Sequence, residues 1–531
     1  MNPEQFIEAH IKLIKPIFTN AQNTYWKASL SGKEEDFKKY EALSKEISKI
    51  YNDKEKFKKV KKLNEQNISS PLIKRQIQIL YDNYLSGQGD IELIHKIIEK
   101  STSVEQKFNI FRAKVDGKEL TDNEIKEILK TEINSKKLQT VWEASKKQGA
   151  VVEKELIEII KLRNQLAKSL GFKNYYEMSL ITSEQNVNEL TNIFKELDNS
   201  TKESFGQLKK EMDKYLSEKY SCSTNQLKPW HYQDLFFQEG PKIYDFNLDE
   251  IYSKKDIVQI AKKFYNSIGI DVEDILSMSD LYEKPGKSQH AYCINIDREG
   301  DVRILQNVKN NEYWMGTTLH ELGHAIYEKN FGKTLPFILK DTAHIFVTEA
   351  IAMLFGRQAK NISFIKNYFG IDETKAKSLS QKIADSLKLE QLVFSRWVQV
   401  MFNFERELYK NPEQNLNKLW YEVVNKYQML NFSRDHPDWA SKIHLVSSPV
   451  YYHNYMLGEM FASQLHHQIT KNILKQNSLK NIEYSNNRKI GKFLIENIFK
   501  PGKSLHYNEL IKKATGESLV SKYFMQEFVS Q

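Results

Sequence analysis

The chain has 531 residues, 28% of them charged and 12% aromatic, a composition that excludes intrinsic disorder and a length that allows a large core. Its net charge of +9 is the small difference between 78 basic and 69 acidic residues, a mixed surface that argues against a nucleic-acid-binding face. Two cysteines cannot make a disulfide framework, and no run approaches the roughly 18 apolar residues of a membrane span.

The N-terminal "MNPEQFIEAHIKLIKPIF" has no basic start followed by an apolar run and no small-residue cleavage site. With the low cysteine count this predicts a cytoplasmic protein. The densest basic run, "KKVKK" (Lys58 to Lys62), lies in a charged helical pattern and reads as a solvated helix face. Segments such as "KELIEIIKLRNQLAKSL" (Lys154 to Leu170) repeat apolar residues at three and four spacing, which predicts helix through most of the chain. The clearest breaks carry proline, at Pro71, Pro229 and Pro285. Without internal repeats or linkers, the expectation is a single mainly α domain over residues 1–531, a large two-lobed body about a deep cleft.

"HAYCINIDREGDVRILQNV" (His290 to Val308) departs from the helical pattern, with two β-rich runs around a turn at Arg298 to Asp301. It predicts a small hairpin beside the helix that follows. An exposed strand edge accepts an extended peptide through main-chain hydrogen bonds, although a purely structural hairpin reads the same way.

The next segment, "TTLHELGHAIYEKNF" (Thr317 to Phe331), carries His320 and His324 four residues apart. On a helix these share a face and can point at one ion. Glu321 lies about 100 degrees round the helix, displaced from the pair yet able to reach a water beside the ion. Zinc takes such imidazoles near 2 Å, and a catalytic zinc takes three protein ligands in all. "AHIFVTEAIAMLFGR" (Ala343 to Arg357) follows, apolar almost all round, with Glu349 inside it. A buried carboxylate is costly unless paired or coordinated, so Glu349 is the expected third ligand; His344, nearer the polar start of that helix, competes with it.

The zinc motif does not stand alone. "FIEAHIKLIKPIFTNAQNTYW" resembles the opening helix of the angiotensin-converting enzyme family and its bacterial peptidyl-dipeptidase relatives. "SQHAYCINIDREGDVRI" is similar to that family's substrate strand, and "EAIAMLF" to its third-ligand helix. "NKYQML" (Asn425 to Leu430) resembles a channel-lining helix, and "KIHLVSSPVYYHNYMLGEMFASQ" the C-terminal catalytic segment, all in the family's order. The resemblance implies one Zn2+ per chain held by His320, His324 and Glu349, with Glu321 as general base and then acid. It implies that His290 and Ala291 meet the substrate backbone, that His444 bonds a substrate carbonyl, and that Tyr455 stabilises the oxyanion. Lys442 and a tyrosine would hold the terminal carboxylate of an oligopeptide. Counting from His444 gives Tyr451 and counting back from Tyr455 gives Tyr452; the family's spacing favours Tyr452.

Several positions depart from the family. Asn454 and Val424 replace two chloride-binding arginines, which implies weak chloride dependence. Met353 stands where an aspartate supports the metal ligands, and Gln289 where a cysteine precedes His290. "PWHYQD" (Pro229 to Asp234) loosely matches the family's glutamine-bearing segment and offers Gln233. The function implied is zinc-dependent release of C-terminal dipeptides from oligopeptides, with no nucleic-acid or membrane partner. "SPVYYHNYMLG" also resembles a segment of thimet and F-type oligoendopeptidases, which is the nearest alternative. A non-catalytic peptide-binding protein is the alternative from another class, and the intact Glu321 argues against it.

Overall fold

A computed structural model describes residues 2–288 and 290–529; Gln289 lies outside the described residues. Helices dominate, as the apolar spacing predicts, and two antiparallel hairpins are the only sheets among the described residues. Among those residues no helix is long and apolar enough to cross a membrane. The chain divides into two compact units, each gathered from separate stretches. The first comprises Met1–Gln88, Phe246–Ala384 and Leu457–Glu527; the second comprises Gly89–Asp245, Asp385–Met456 and Phe528–Gln531.

In the first unit, helix Pro3–Ser31 starts from a capping box. The Asn2 side chain accepts the Gln5 N–H at 2.9 Å, and the Gln5 side chain takes the Asn2 N–H at 3.2 Å. The helix stops at Gly32, whose φ of 63° favours glycine; a Cβ there would also lie 2.3 Å from the Gly286 carbonyl oxygen. Phe6 and Ile7 on its buried face pack with Val60, Leu63, Leu80 and Tyr84, each such side chain contributing about 1.5–3 kcal/mol on burial.

Trp26, near the end of the same helix, covers the expected hairpin through Ile294, Ile296 and Leu305. Strands Tyr292–Asn295 and Val302–Leu305 pair antiparallel with Tyr292 opposite Leu305 and Asn295 opposite Val302. The turn is wound by side chains: Asn295 accepts the Arg298 N–H at 2.8 Å, and Asp297 accepts those of Glu299 and Asp301 at 2.7 and 3.1 Å. Gln306, just past the second strand, accepts the Thr318 hydroxyl at 3.1 Å and donates to the Thr317 carbonyl at 3.3 Å. The hairpin is thereby fixed beside the histidine-bearing helix.

The second unit is built on helix Ser135–Ser169. Its Leu138, Val141 and Trp142 pack with Phe205, Leu208 and Met212 of helix Val187–Lys219, and with Leu392 and Val393 of helix Glu373–Lys410. Gly149 lets the chain at Pro437 come in close, since a Cβ there would meet the Pro437 carbonyl oxygen at 2.1 Å. Arg396 is only 1% exposed and is tolerated because Asp198 pairs with it and Thr201 accepts from it at 2.7 Å.

Candidate metal centre and carboxylate site

The helix carrying the two histidines runs over Glu312–Lys329 and is capped by Asn311, which accepts the Trp314 N–H at 2.9 Å. Its buried face (Met315, Leu319, Leu322, Ile326) faces the core, and at Gly323 it meets helix Ile345–Gly356. A Cβ at Gly323 would stand 2.7 Å from the Ala352 Cα, so the two helices pack at backbone distance. That approach sets Glu349 opposite the histidines.

The result is a triad whose ligand atoms all lie within 4.8 Å of one another. Nε2 of His320 and Nε2 of His324 are 3.2 Å apart, and they stand 3.7 and 3.8 Å from Glu349 Oε2. Donors about 2 Å from a tetrahedral ion stand about 3.3 Å from each other, so the set fits zinc in spacing and in chemistry. His344 is not in this group. It caps helix Ile345–Gly356, its Nδ1 accepting the Phe346 N–H at 3.3 Å, and its ring packs on Tyr507.

Met353 offers no carboxylate, and the side chain that supports His324 is Thr348. Its hydroxyl lies 2.7 Å from Nδ1 of His324, which leaves Nε2 facing the triad. Burial holds the His320 imidazole down at about 4 and that of His324 well below its usual range, so both are neutral and can donate a lone pair. Burial, with the Glu349 carboxylate alongside, pushes Glu321 up to about 8; a bound dication would oppose that shift. Gly458 also matters, since a Cβ there would lie 3.0 Å from the Glu349 Cβ. His290 is exposed and Ala291 half-buried, at the threshold of strand Tyr292–Asn295. Their approach is tied by the Ser288 N–H to the Ser29 carbonyl at 2.8 Å.

In the second unit the remaining site residues gather on one segment. Lys442 Nζ donates to Gln238 Oε1 at 2.7 Å, and the Tyr452 hydroxyl reaches the same oxygen at 3.5 Å. Trp397 donates its indole N–H to the Tyr452 hydroxyl at 2.7 Å. The His444 ring lies 5.0 Å from that of Tyr452, and the Tyr455 ring 5.4 Å from it. Tyr451 packs on Tyr455 at 5.2 Å, so Tyr452 is the tyrosine beside Lys442. Burial holds Lys442 down at about 8 and His444 at about 4, which leaves the imidazole neutral at pH 7.

It is Gln238, not Gln233, that meets Lys442. Gln233 turns its side-chain oxygen to the Lys242 N–H at 3.1 Å. Between them the loop is wound by Asp234, which accepts the N–H groups of Phe236 and Gln238, both at 2.9 Å, and by left-handed Gln233 and Phe237. Gln428, in "NKYQML", pins this loop by donating to the carbonyls of Phe236 and Phe237 at 2.9 and 2.7 Å. Where the family's second arginine would stand, Asn454 accepts from Gln185 Nε2 at 2.8 Å, and Gln185 Oε1 meets His453 at 2.8 Å. Val424 is buried on helix Leu416–Gln428.

Comparison with known proteins bears on the family of the chain. Carboxypeptidase 1 of Bacillus subtilis is 24% identical over 264 residues, 44% of this chain and 51% of that protein. The angiotensin-converting enzyme-like protein Ace3 of Mus musculus is 20% identical over 436 residues, 76% of this chain and 59% of that protein. The chain thus spans between half and three-fifths of the curated relatives it matches. A family model described as angiotensin-converting enzyme matches residues 1–232 and 242–530, nearly the whole length, and the chain belongs to the angiotensin-converting enzyme family.

Proposed function

We propose that the protein is a zinc metallopeptidase that releases dipeptides from the C-termini of oligopeptides. His320, His324 and Glu349 would hold the ion, which when bound supplies Lewis acidity that makes water nucleophilic and polarises the scissile carbonyl. Glu321 would take the proton of the attacking water and return it to the leaving amine. Tyr455, through its phenol, would stabilise the oxyanion, and His444, a neutral imidazole, would bond a substrate carbonyl. His290 and Ala291 would pair with the extended substrate as it adds to the hairpin edge.

The observation that carries the finer reading is the convergence of Lys442 and Tyr452 on Gln238. A cation, a phenol and a carboxamide at one point suit a peptide's terminal carboxylate, which would set the register of cleavage. The two cysteines are both free, in keeping with a reducing, cytoplasmic setting.

The test is a mass-spectrometric digest of mixed peptides with and without a chelator. Chelator-sensitive release of C-terminal dipeptides is the expected result. Release of single residues would make the protein a carboxypeptidase, as the Bacillus relative's name has it, and cuts at internal bonds without need of a free terminus would make it an oligoendopeptidase.

A further inference from the structure

The segment from Lys442 to Tyr455 bears four of the proposed substrate-facing side chains, yet between the short helix His444–Ser447 and helix His453–Gln468 it is irregular. At its centre Val450 has a φ of +55°. A β-branched side chain rarely enters this region, so surrounding contacts must hold it there.

Two buried side chains hold this backbone, one ahead of Val450 and one at it. Upstream, Arg163 donates to the carbonyls of Leu445 and Val446 at 2.9 and 2.8 Å and to the Tyr409 hydroxyl at 3.1 Å. At Val450 itself, Glu405, 3% exposed, accepts the backbone N–H at 2.7 Å. Glu405 and Trp397 share helix Glu373–Lys410 and lie about two turns apart, one holding Val450 and the other the Tyr452 hydroxyl. Burial pushes Glu405 up to about 7, with the Val450 N–H and Arg163 acting against it. A carboxyl buried so deeply is costly, and the Val450 bond offsets part of that cost.

We propose that Glu405 is a positioning residue for the carboxylate site: by accepting the Val450 N–H it fixes the left-handed turn that brings Tyr452, in place of Tyr451, against Lys442 and Gln238. The two tyrosines are sequence neighbours, so a change in one backbone conformation ahead of them is enough to exchange which ring faces Lys442. The proposal rests on the reading that Lys442 and Tyr452 hold the substrate's terminal carboxylate.

The test competes a free-acid peptide with its C-terminal amide in one tube, using the zinc-loaded protein of 531 residues. The ratio of the two kcat/KM values is then independent of how much enzyme is active. Glu405→Gln keeps a carbonyl acceptor in nearly the same shape, whereas Glu405→Leu removes it. Wild type and Glu405→Gln should share one preference for the free acid. Glu405→Leu should lower that preference at least about fivefold, through a raised KM for the free acid, with turnover of the amide little changed. Should Glu405→Leu fail to fold, Val450→Pro attacks the same contact from the other partner, deleting the N–H and forcing φ negative, and should lose the preference equally. A Leu or Pro variant with the wild-type ratio overturns the proposal. So does a Gln variant that loses the preference as fully as Leu, because the acceptor alone is invoked. If wild type itself does not prefer the free acid, the carboxylate reading fails and this proposal falls with it.

Discussion

The Thr348 hydroxyl sits 2.7 Å from Nδ1 of His324, one residue before the glutamate that completes the triad. A single helix therefore carries both one member of the candidate triad and the group hydrogen-bonded to another. With the ring proton on Nδ1 directed to Thr348, Nε2 would keep its lone pair for an ion. Thr348→Val preserves the branched shape and deletes the oxygen. Zinc affinity, read by competition with a chromophoric chelator, should fall about 10- to 100-fold. Unchanged affinity would mean that packing alone orients the ring.

Glu321→Gln should abolish turnover while leaving zinc stoichiometric. Removing the proton relay should lower kcat by at least about 100-fold. Metal analysis of the purified variant beside its peptide-cleavage rate checks both halves. Near-normal turnover would remove Glu321 from the chemistry.

Glu349→Ala should release zinc and lower the melting temperature, since the ion's binding energy is added to that of the fold. His344→Ala should keep zinc, and its loss of the Phe346 cap should cost about 1 kcal/mol of stability. Stoichiometric zinc in the first variant together with loss in the second would reverse the ligand assignment.

Exchange of chloride for acetate at constant ionic strength should change activity little. Gln185 already satisfies Asn454 and His453 with neutral hydrogen bonds, and burial holds His453 down at about 3, so it carries no charge at pH 7. Constant ionic strength removes general screening. Saturable activation of several-fold by chloride would show that another cation binds the anion.

Amidating the substrate's C-terminus should lower kcat/KM by about 10- to 150-fold, the value of a charge-assisted hydrogen bond of about 1.5–3 kcal/mol. Lys442→Ala should remove most of that preference, and the two losses should not add, since they delete one interaction. Burial holds the Lys442 ammonium down at about 8, with Asp234 and Glu239 raising it and Lys126 lowering it. The group is charged below that value and neutral above it. The free-acid preference should accordingly be full near pH 6.5 and decline as pH rises past about 8. Taking the ratio to the amide cancels other titrations, such as that of Glu321.

The grouping of His320, His324 and Glu349 was legible because helical periodicity is a local rule. Four residues between His320 and His324 place both on one face, and a glutamate in an apolar helix asks for a partner. The hairpin was legible for a similar reason: Asn295, Asp297 and Gly300 are turn residues that bond to their own neighbourhood. Gln238 was not. Its position depends on two left-handed residues, Gln233 and Phe237, neither of them a glycine, so nothing in the spacing shows that the chain doubles back there. The choice between Tyr451 and Tyr452 turns on Val450 in the same way, a valine whose backbone conformation no propensity would suggest. Thr348 escaped notice because a threonine in a buried helix ordinarily bonds to its own preceding turn.

The contact of Gly323 with Ala352 has a consequence for the life of the enzyme. The two helices that carry the triad pack at backbone distance, so its candidate donor atoms should stay within reach of one another when an ion is removed. Such a site acts as a socket: chelation should be reversible, and cobalt or manganese should reload it in place of zinc without refolding. A methyl group added at residue 323 would wedge the helices apart and cost the protein that exchangeability before it cost the fold.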